Sequence, residues 1–181
     1  MRGALMGFAR VTEQLGYAAA VLAALCLAAM AVLVVAEIAA RDIGGQSLNF
    51  TWEVSGYLMG AVFLLGAAHA LAEGAHVRTG INSLIRHVAT RRALEALCFL
   101  VGLLVASYVA RALGLLAFQS FERGVTSWSS LRAPLWLPQG TLALGAALLA
   151  LQFAAGLARI AAGEESMRVA PVDEVAERKA L

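Results

Sequence analysis

The chain has 181 residues, of which 61% are hydrophobic, and its formal net charge is only +2. A soluble domain of this length is about 45–50% apolar, whereas here the excess is concentrated in four apolar blocks separated by short charged segments. This pattern predicts an all-α, polytopic membrane protein with four transmembrane helices, embedded in a lipid bilayer, and it excludes a sizeable water-soluble core. The small net charge gives no support for nucleic-acid binding.

The first apolar block follows a short lead that carries two arginines. Its uncharged run, Leu15–Ala36, is longer than the roughly 7–15 residues of a signal-peptide core, so we predict a retained span over about residues 15–40. Glu37 and Arg41 lie four residues apart at its end and share a helix face. They predict either a local ion pair at a solvated helix end or a glutamate that points at a neighbouring helix.

The stretch Phe50–Ile81 is the most distinctive part of the sequence. It opens with aromatic residues and an acid, and it continues into an apolar run, Val54–Ala72, whose only ionisable side chain is His69. As a helix this run would be about 28 Å long, close to the roughly 30 Å hydrocarbon slab. We therefore predict the second span over about residues 53–72.

The connection after the second span has an amphipathic pattern. Its apolar residues recur at helical spacing: Ile81, Leu84, Ile85 and Val88. A helix of this length and charge is too short to span, so we predict a short interfacial helix in the headgroup plane between the second and third spans. The alternative is an ordinary connector that ends at Arg91 and Arg92.

The third predicted span, about residues 93–118, contains an arginine. Arg111 would lie about 12 Å from the outer boundary, where its charge costs on the order of a few kcal/mol unless it pairs or snorkels. We expect snorkelling or a pair with Glu37 or Glu53. The fourth span, about residues 135–160, has no charge before Arg159.

The distribution of basic residues predicts the orientation. Lysines and arginines number two in the lead, four in the second connection and four in the segment from Arg159 onward, against one and two in the first and third connections. The positive-inside rule then places both termini in the cytoplasm. Residues 1–162 are expected to form the four-helix transmembrane domain, and residues 163–181 a charged, mobile cytoplasmic tail.

The chain lacks the motifs of an enzyme. It contains no CxxC, HExxH or glycine-rich phosphate loop, so we predict no catalytic residues, no metal and no cofactor. Cys26 and Cys98 would sit at different depths and are expected to be packing residues. The span centres are built from Ala, Leu, Val and Gly, which do not form a solute path of their own.

Four segments carry a resemblance to a known family. In chain order they are Arg41, the tetrapeptide Phe50–Glu53, the run LLGAAHALAEGAHVR that ends at Arg78, and Ser130–Trp136. Over about residues 15–161 the chain resembles the small membrane subunit, of the DctQ type, of tripartite ATP-independent periplasmic (TRAP) transporters. The positions that match the family pattern are Arg41, Glu53, Gly66, His76, Arg78 and Pro134. It departs from that pattern at Phe50, Trp52 and Gly80, where a tryptophan and two acids are common.

The resemblance implies a non-enzymatic, multi-pass subunit of the bacterial inner membrane. Such a subunit scaffolds a large multi-span permease that imports an organic acid, commonly a carboxylate, with sodium, and a periplasmic solute-binding protein delivers the solute. The residues predicted to lie at the subunit interface or at a membrane edge are Arg41, Trp52, Glu53, His76, Arg78, Arg111, Pro134 and Trp136. The alternatives are a self-assembling multidrug-type exporter that uses Glu37, and a haem-bearing membrane anchor that uses His69.

Overall fold

A computed structural model of the protein describes residues 2–45, 47–73 and 88–162. Four α-helices make up this part of the chain: α1 (Arg2–Gly44), α2 (Thr51–Ala72), α3 (Val88–Glu122) and α4 (Trp136–Ala162). Each contains a segment long and apolar enough to cross a membrane. For the described residues, the prediction of an all-α protein with four helices able to span a membrane is confirmed.

Two helices are much longer than their predicted spans. The candidate spans within α1 and α3 each contain 34 residues, which is about 51 Å of helix against a slab of roughly 30 Å. The predicted spans ended near the first charged residue, but backbone hydrogen bonding continues past a charge. α1 instead ends at Gly44, where Gly45 takes a left-handed φ of 61° and its N–H bonds to the Arg41 carbonyl at 3.1 Å.

Two predicted features lie outside the described residues. The amphipathic segment falls on residues 81–87, apart from Val88, which is the first residue of α3. The charged tail falls on residues 163–181.

α4 is the central helix of the bundle. It packs against α1, α2 and α3, while α1 also packs along α2. Small residues line the interface between α1 and α2, where Ala19, Ala23 and Ala61 pack around the fully buried Leu65. Small side chains let helix axes approach closely where lipid supplies no hydrophobic drive for association. α3 is held mainly by α4 alone.

The contact between α3 and α4 is a reciprocal fit of two phenylalanines and two glycines. The Phe99 ring lies over Gly156 and the Phe153 ring over Gly102, so that a Cβ at either glycine would fall within 2.5 Å of the facing ring. The two rings meet edge to face, with centroids 5.9 Å apart and planes at 76°. Both glycines are therefore required to be glycine by contact, and the pairing fixes the register of α3 on α4.

Candidate functional site

The polar side chains of the described chain gather at the two ends of the bundle. At one end, Glu37 in the last turns of α1 accepts three hydrogen bonds from the connection to α2. The donors are the Ser47 hydroxyl at 2.6 Å, the Leu48 N–H at 2.8 Å and the Thr51 hydroxyl at 3.1 Å. Thr51 is the buried first residue of α2, where a negative charge is also favoured by the helix dipole. The carboxylate therefore joins two helices through their connecting turn.

The expected ion pair between Glu37 and Arg41 is wrong as the main contact of the glutamate. Arg41 is exposed, and its nearest acid is the equally exposed Asp42 at 4.0 Å. An exposed pair of this kind contributes little to stability because solvent screens it, whereas the Glu37 carboxylate accepts three charge-assisted hydrogen bonds. The alternative prediction, that Glu37 points at a neighbouring helix, describes the structure, because its carboxylate reaches Thr51 of α2.

A second carboxylate at the same end holds the other connection. Glu53, in the first turn of α2, accepts a hydrogen bond from the Tyr57 hydroxyl one turn later. Its carboxylate also lies within hydrogen-bonding range of the Ser127 and Ser129 hydroxyls and of the Ser129 N–H. These serines belong to the connection between α3 and α4. Glu53 thus attaches the start of α2 to a segment more than 70 residues later in the chain.

That connection is a small hairpin, which we call the 125–135 hairpin. The Leu135 N–H bonds to the Val125 carbonyl at 3.1 Å, and the Ser127 N–H bonds to the Ala133 carbonyl at 2.8 Å. Thr126 and Pro134 form an isolated antiparallel bridge between them. Gly124, with a φ of 59°, starts the turn out of α3. The hairpin thereby holds the buried Ser127 against Glu53. We call this end of the bundle the hairpin end.

Aromatic side chains surround the hairpin. Trp128 at its tip is fully exposed, and Trp52 at the start of α2 is 85% exposed. Trp136, the first residue of α4, meets Phe121 edge to face at 5.6 Å. Aromatic rings with one polar edge are typical of the boundary between lipid and water. This end of the bundle therefore has the composition of a membrane edge.

A different set of polar contacts ties the opposite end. Gln152 in α4 is buried, and its Nε2 donates to the Thr12 carbonyl of α1 at 2.6 Å. Two turns farther along α4, Arg159 pairs with Glu13 of α1, both side chains being partly buried. These contacts were not predicted from the sequence. The signal that could have indicated one of them is that Gln152 is the strongly polar side chain of an otherwise apolar span.

The histidine of the second span belongs to this same end. The His69 ring lies 6.1 Å from the Tyr17 ring, in an edge-to-face arrangement. A T-shaped ring contact of this kind is packing between α1 and α2. His69 is therefore placed as a residue that packs between α1 and α2.

The predicted site residues do not form one cluster. Glu53, Trp52, Pro134 and Trp136 lie at the hairpin end, while Arg41 is exposed on the last turn of α1. Arg111 is exposed on α3, and the two acids expected to pair with it are bonded elsewhere. His76 and Arg78 lie outside the described residues.

Between its two ends the bundle is apolar. Its buried side chains there include Ala19, Ala23, Ala61, Leu65 and Ala146. Within residues 2–45, 47–73 and 88–162, no three histidine, cysteine or acidic side chains lie close enough together to hold a metal ion. The polar groups at the two ends can hold loops and helix ends in place. Among the described residues, the buried side chains between the two ends include none that could transfer a proton.

Comparison with known proteins gives the family. The family model described as "Tripartite ATP-independent periplasmic transporters, DctQ component" matches residues 30–163, which is most of the chain. No curated protein and no solved structure matches the sequence. The matched region contains the end of α1, all of α2, α3 and α4, and both carboxylates of the hairpin end. The chain is therefore a member of the DctQ family, the small membrane component of the TRAP transporters.

Proposed function

We propose that this protein scaffolds the large permease subunit of a TRAP transporter and holds no solute or ion site of its own. The observation that carries this proposal is the role of the two carboxylates at the hairpin end. Glu37 and Glu53 are both occupied with hydrogen bonds to connecting segments. Family membership and an apolar interior point the same way, because a solute path needs polar groups near the bilayer centre.

The proposed orientation has both termini in the cytoplasm of a bacterial cell, with the protein in its inner membrane. The unequal distribution of lysines and arginines supports it. The hairpin end then faces the periplasm, on the side from which a solute-binding protein would deliver its cargo. The interfacial helix after α2, and the roles of His76 and Arg78 within that connection, remain part of this proposal on the cytoplasmic side.

The proposed cargo is an organic acid, in particular a carboxylate, imported together with sodium. Both would be bound by the large subunit. Support for this step comes from the family alone, and the apolar interior of the present chain is consistent with a carrier site in another subunit.

The multidrug-type exporter finds no support in the geometry of Glu37. A proton-coupled acid must be reachable from both sides of the membrane and is expected near its centre. Glu37 lies seven residues before the end of α1, and three donors from the α1–α2 connection are bonded to its carboxylate.

The test is reconstitution of the large subunit into sodium-loaded or sodium-free liposomes, with and without this chain, in the presence of the solute-binding protein. We expect solute uptake to require all three components and an inward sodium gradient. Uptake that proceeds unchanged without this chain would contradict the scaffold role. Uptake by liposomes that contain this chain alone would show that it carries solute itself.

A further inference from the structure

α3 has one packed face and one open face. Phe99 and Ala106 are buried against α4. The opposite side carries large side chains at alternating spacings of three and four, and we call these residues the outer stripe of α3: Val101, Leu104, Tyr108, Arg111, Leu115 and Phe118. All six are exposed in the structure. A stripe with this spacing is the surface that one helix presents to a second helix crossing it at about 20°.

Arg111 distinguishes this stripe from a surface made for lipid. It lies eleven residues before the end of α3 at Glu122, about 16 Å along the helix axis. Among the described residues no carboxylate lies within 4.0 Å of it, since the ion pairs found there join Arg41, Arg91 and Arg159 to other acids. Arg111 is the one charged residue between Glu95 and Glu122, and a permanent charge inside such an apolar stretch requires a counter-charge or access to water.

Snorkelling meets a geometric obstacle. Helical side chains leave the backbone toward the helix amino terminus. The nearer end of α3 from Arg111 is its carboxyl end. The guanidinium therefore starts out toward the bilayer centre, and a lipid phosphate at the nearer surface lies behind it. A carboxylate on a facing helix needs no such reversal, and it can take two parallel hydrogen bonds from the guanidinium.

The exposed face of α1 provides a comparison within the same chain, because it has the uncharged composition that suits contact with lipid. Val21, Leu25, Val32 and Val35 are all open, and no charged residue occurs between Gln14 and Glu37. Of the two long helices α1 and α3, only α3 thus carries a charged side chain, Arg111, among the apolar residues of its exposed face.

We propose that the outer stripe of α3 packs against a transmembrane helix of the large permease subunit, and that this helix presents an aspartate or glutamate opposite Arg111. The inference rests on the proposed scaffold function, and it specifies the surface that performs it. The apolar residues of the stripe supply the contact area. The charge of Arg111 fixes the register of the two helices, as a single buried polar residue does in a coiled coil.

Photo-cross-linking in the intact complex tests the surface. A photoreactive amino acid replaces Leu104 on the stripe or, as the matched control, Val32 on α1; both native side chains are more than 60% exposed. We expect the probe at position 104 to label the large subunit and the probe at position 32 to label lipid. Labelling of the large subunit from position 32 alone, in a complex that still forms, would overturn the choice of α3 and leave the scaffold function standing.

Three variants test the charge: Arg111→Leu, Arg111→Lys and, as a control in the connection beyond α3, Arg123→Leu. For Arg111→Leu we expect the amount of folded small subunit in membranes to stay equal or rise, because a charge has been removed from an apolar face. Recovery of the large subunit with it should fall at least about tenfold, since an acid would be left without its partner. Arg111→Lys should recover part of the loss, and Arg123→Leu should behave as the wild type.

The outcomes separate the two proposals. Undiminished recovery of the large subunit with Arg111→Leu, together with labelling of lipid from position 104, would mean that Arg111 meets a lipid headgroup and would overturn the inference alone. Failure of the wild-type chain to recover any large subunit would overturn the scaffold function, and the inference with it.

Discussion

The Glu37 carboxylate accepts a hydrogen bond from the Thr51 hydroxyl at 3.1 Å, across 14 residues of chain. The contact joins the last turns of α1 to the first residue of α2, and it encloses the connecting turn whose Leu48 N–H is bonded to the same group. An acid at the end of a membrane helix can therefore be structural even when its position in the sequence resembles that of a proton carrier.

Replacing Glu37 should weaken the attachment of α1 to α2. Glu37→Ala removes the acceptor of three hydrogen bonds, so we expect a lower melting temperature of the detergent-solubilised protein. Glu37→Gln keeps one acceptor oxygen and should lose less. Asp42→Asn, a change at an exposed acid, is the control. Transport per assembled complex should be the same for all three variants; loss of transport in a complex that assembles normally would return Glu37 to the mechanism.

Glu53→Gln should release the 125–135 hairpin from α2. The amide cannot accept from Tyr57, Ser127 and Ser129 with the strength of a carboxylate. We expect a lower yield of the complex and faster proteolysis at the hairpin, with the sodium dependence of uptake per assembled complex unchanged. Glu122→Gln, at the exposed end of α3, is the matched change. An altered sodium dependence at normal yield would show that Glu53 takes part in coupling.

Reversing the charges of Glu13 and Arg159 tests the ion pair between them. Either single reversal, Glu13→Arg or Arg159→Glu, places two like charges together at a partly buried site, so each should destabilise the protein by about 1–3 kcal/mol. The double reversal should recover most of that loss. The same cycle at Arg91 and Glu95, one turn apart on α3, should show a smaller coupling of about 0.5 kcal/mol. Additive effects at positions 13 and 159 would mean that the contact contributes nothing.

Gly156 should tolerate no side chain. A Cβ there would lie 2.1 Å from the Phe99 ring, so Gly156→Val should displace α3 from α4 and lower the melting temperature by several degrees. Gly114→Ala, on the same helix as Phe99, has open space around its Cβ and should be neutral or stabilising, because alanine favours a helix by about 0.5–1 kcal/mol over glycine. If Gly156→Val shows the melting temperature of the wild type, the packing described for this interface is wrong.

The four spans could be predicted because the apolar runs are continuous and close to the slab in length. Their ends could not, since Glu37 and Arg41 look like a boundary in sequence while the helix continues to Gly44. The family pattern indicated Glu53 and Pro134, yet nothing local in the sequence joins Glu53 to Ser127 and Ser129. The hydrogen bond from Gln152 to Thr12 spans 140 residues. It depends on how α4 packs against α1, and the spacing of apolar residues within one helix does not reveal which helices pack together.

The central position of α4, which is the last helix to be synthesised, determines the order in which the helices can pack. α1 and α2 can pair as soon as both have left the ribosome, because Glu37 finds all its donors within the next 14 residues. α3 has to wait, since the helix that holds it is made last. A nascent chain stopped before Trp136 would leave α3 without its main packing partner, and membrane proteases would meet it in that state.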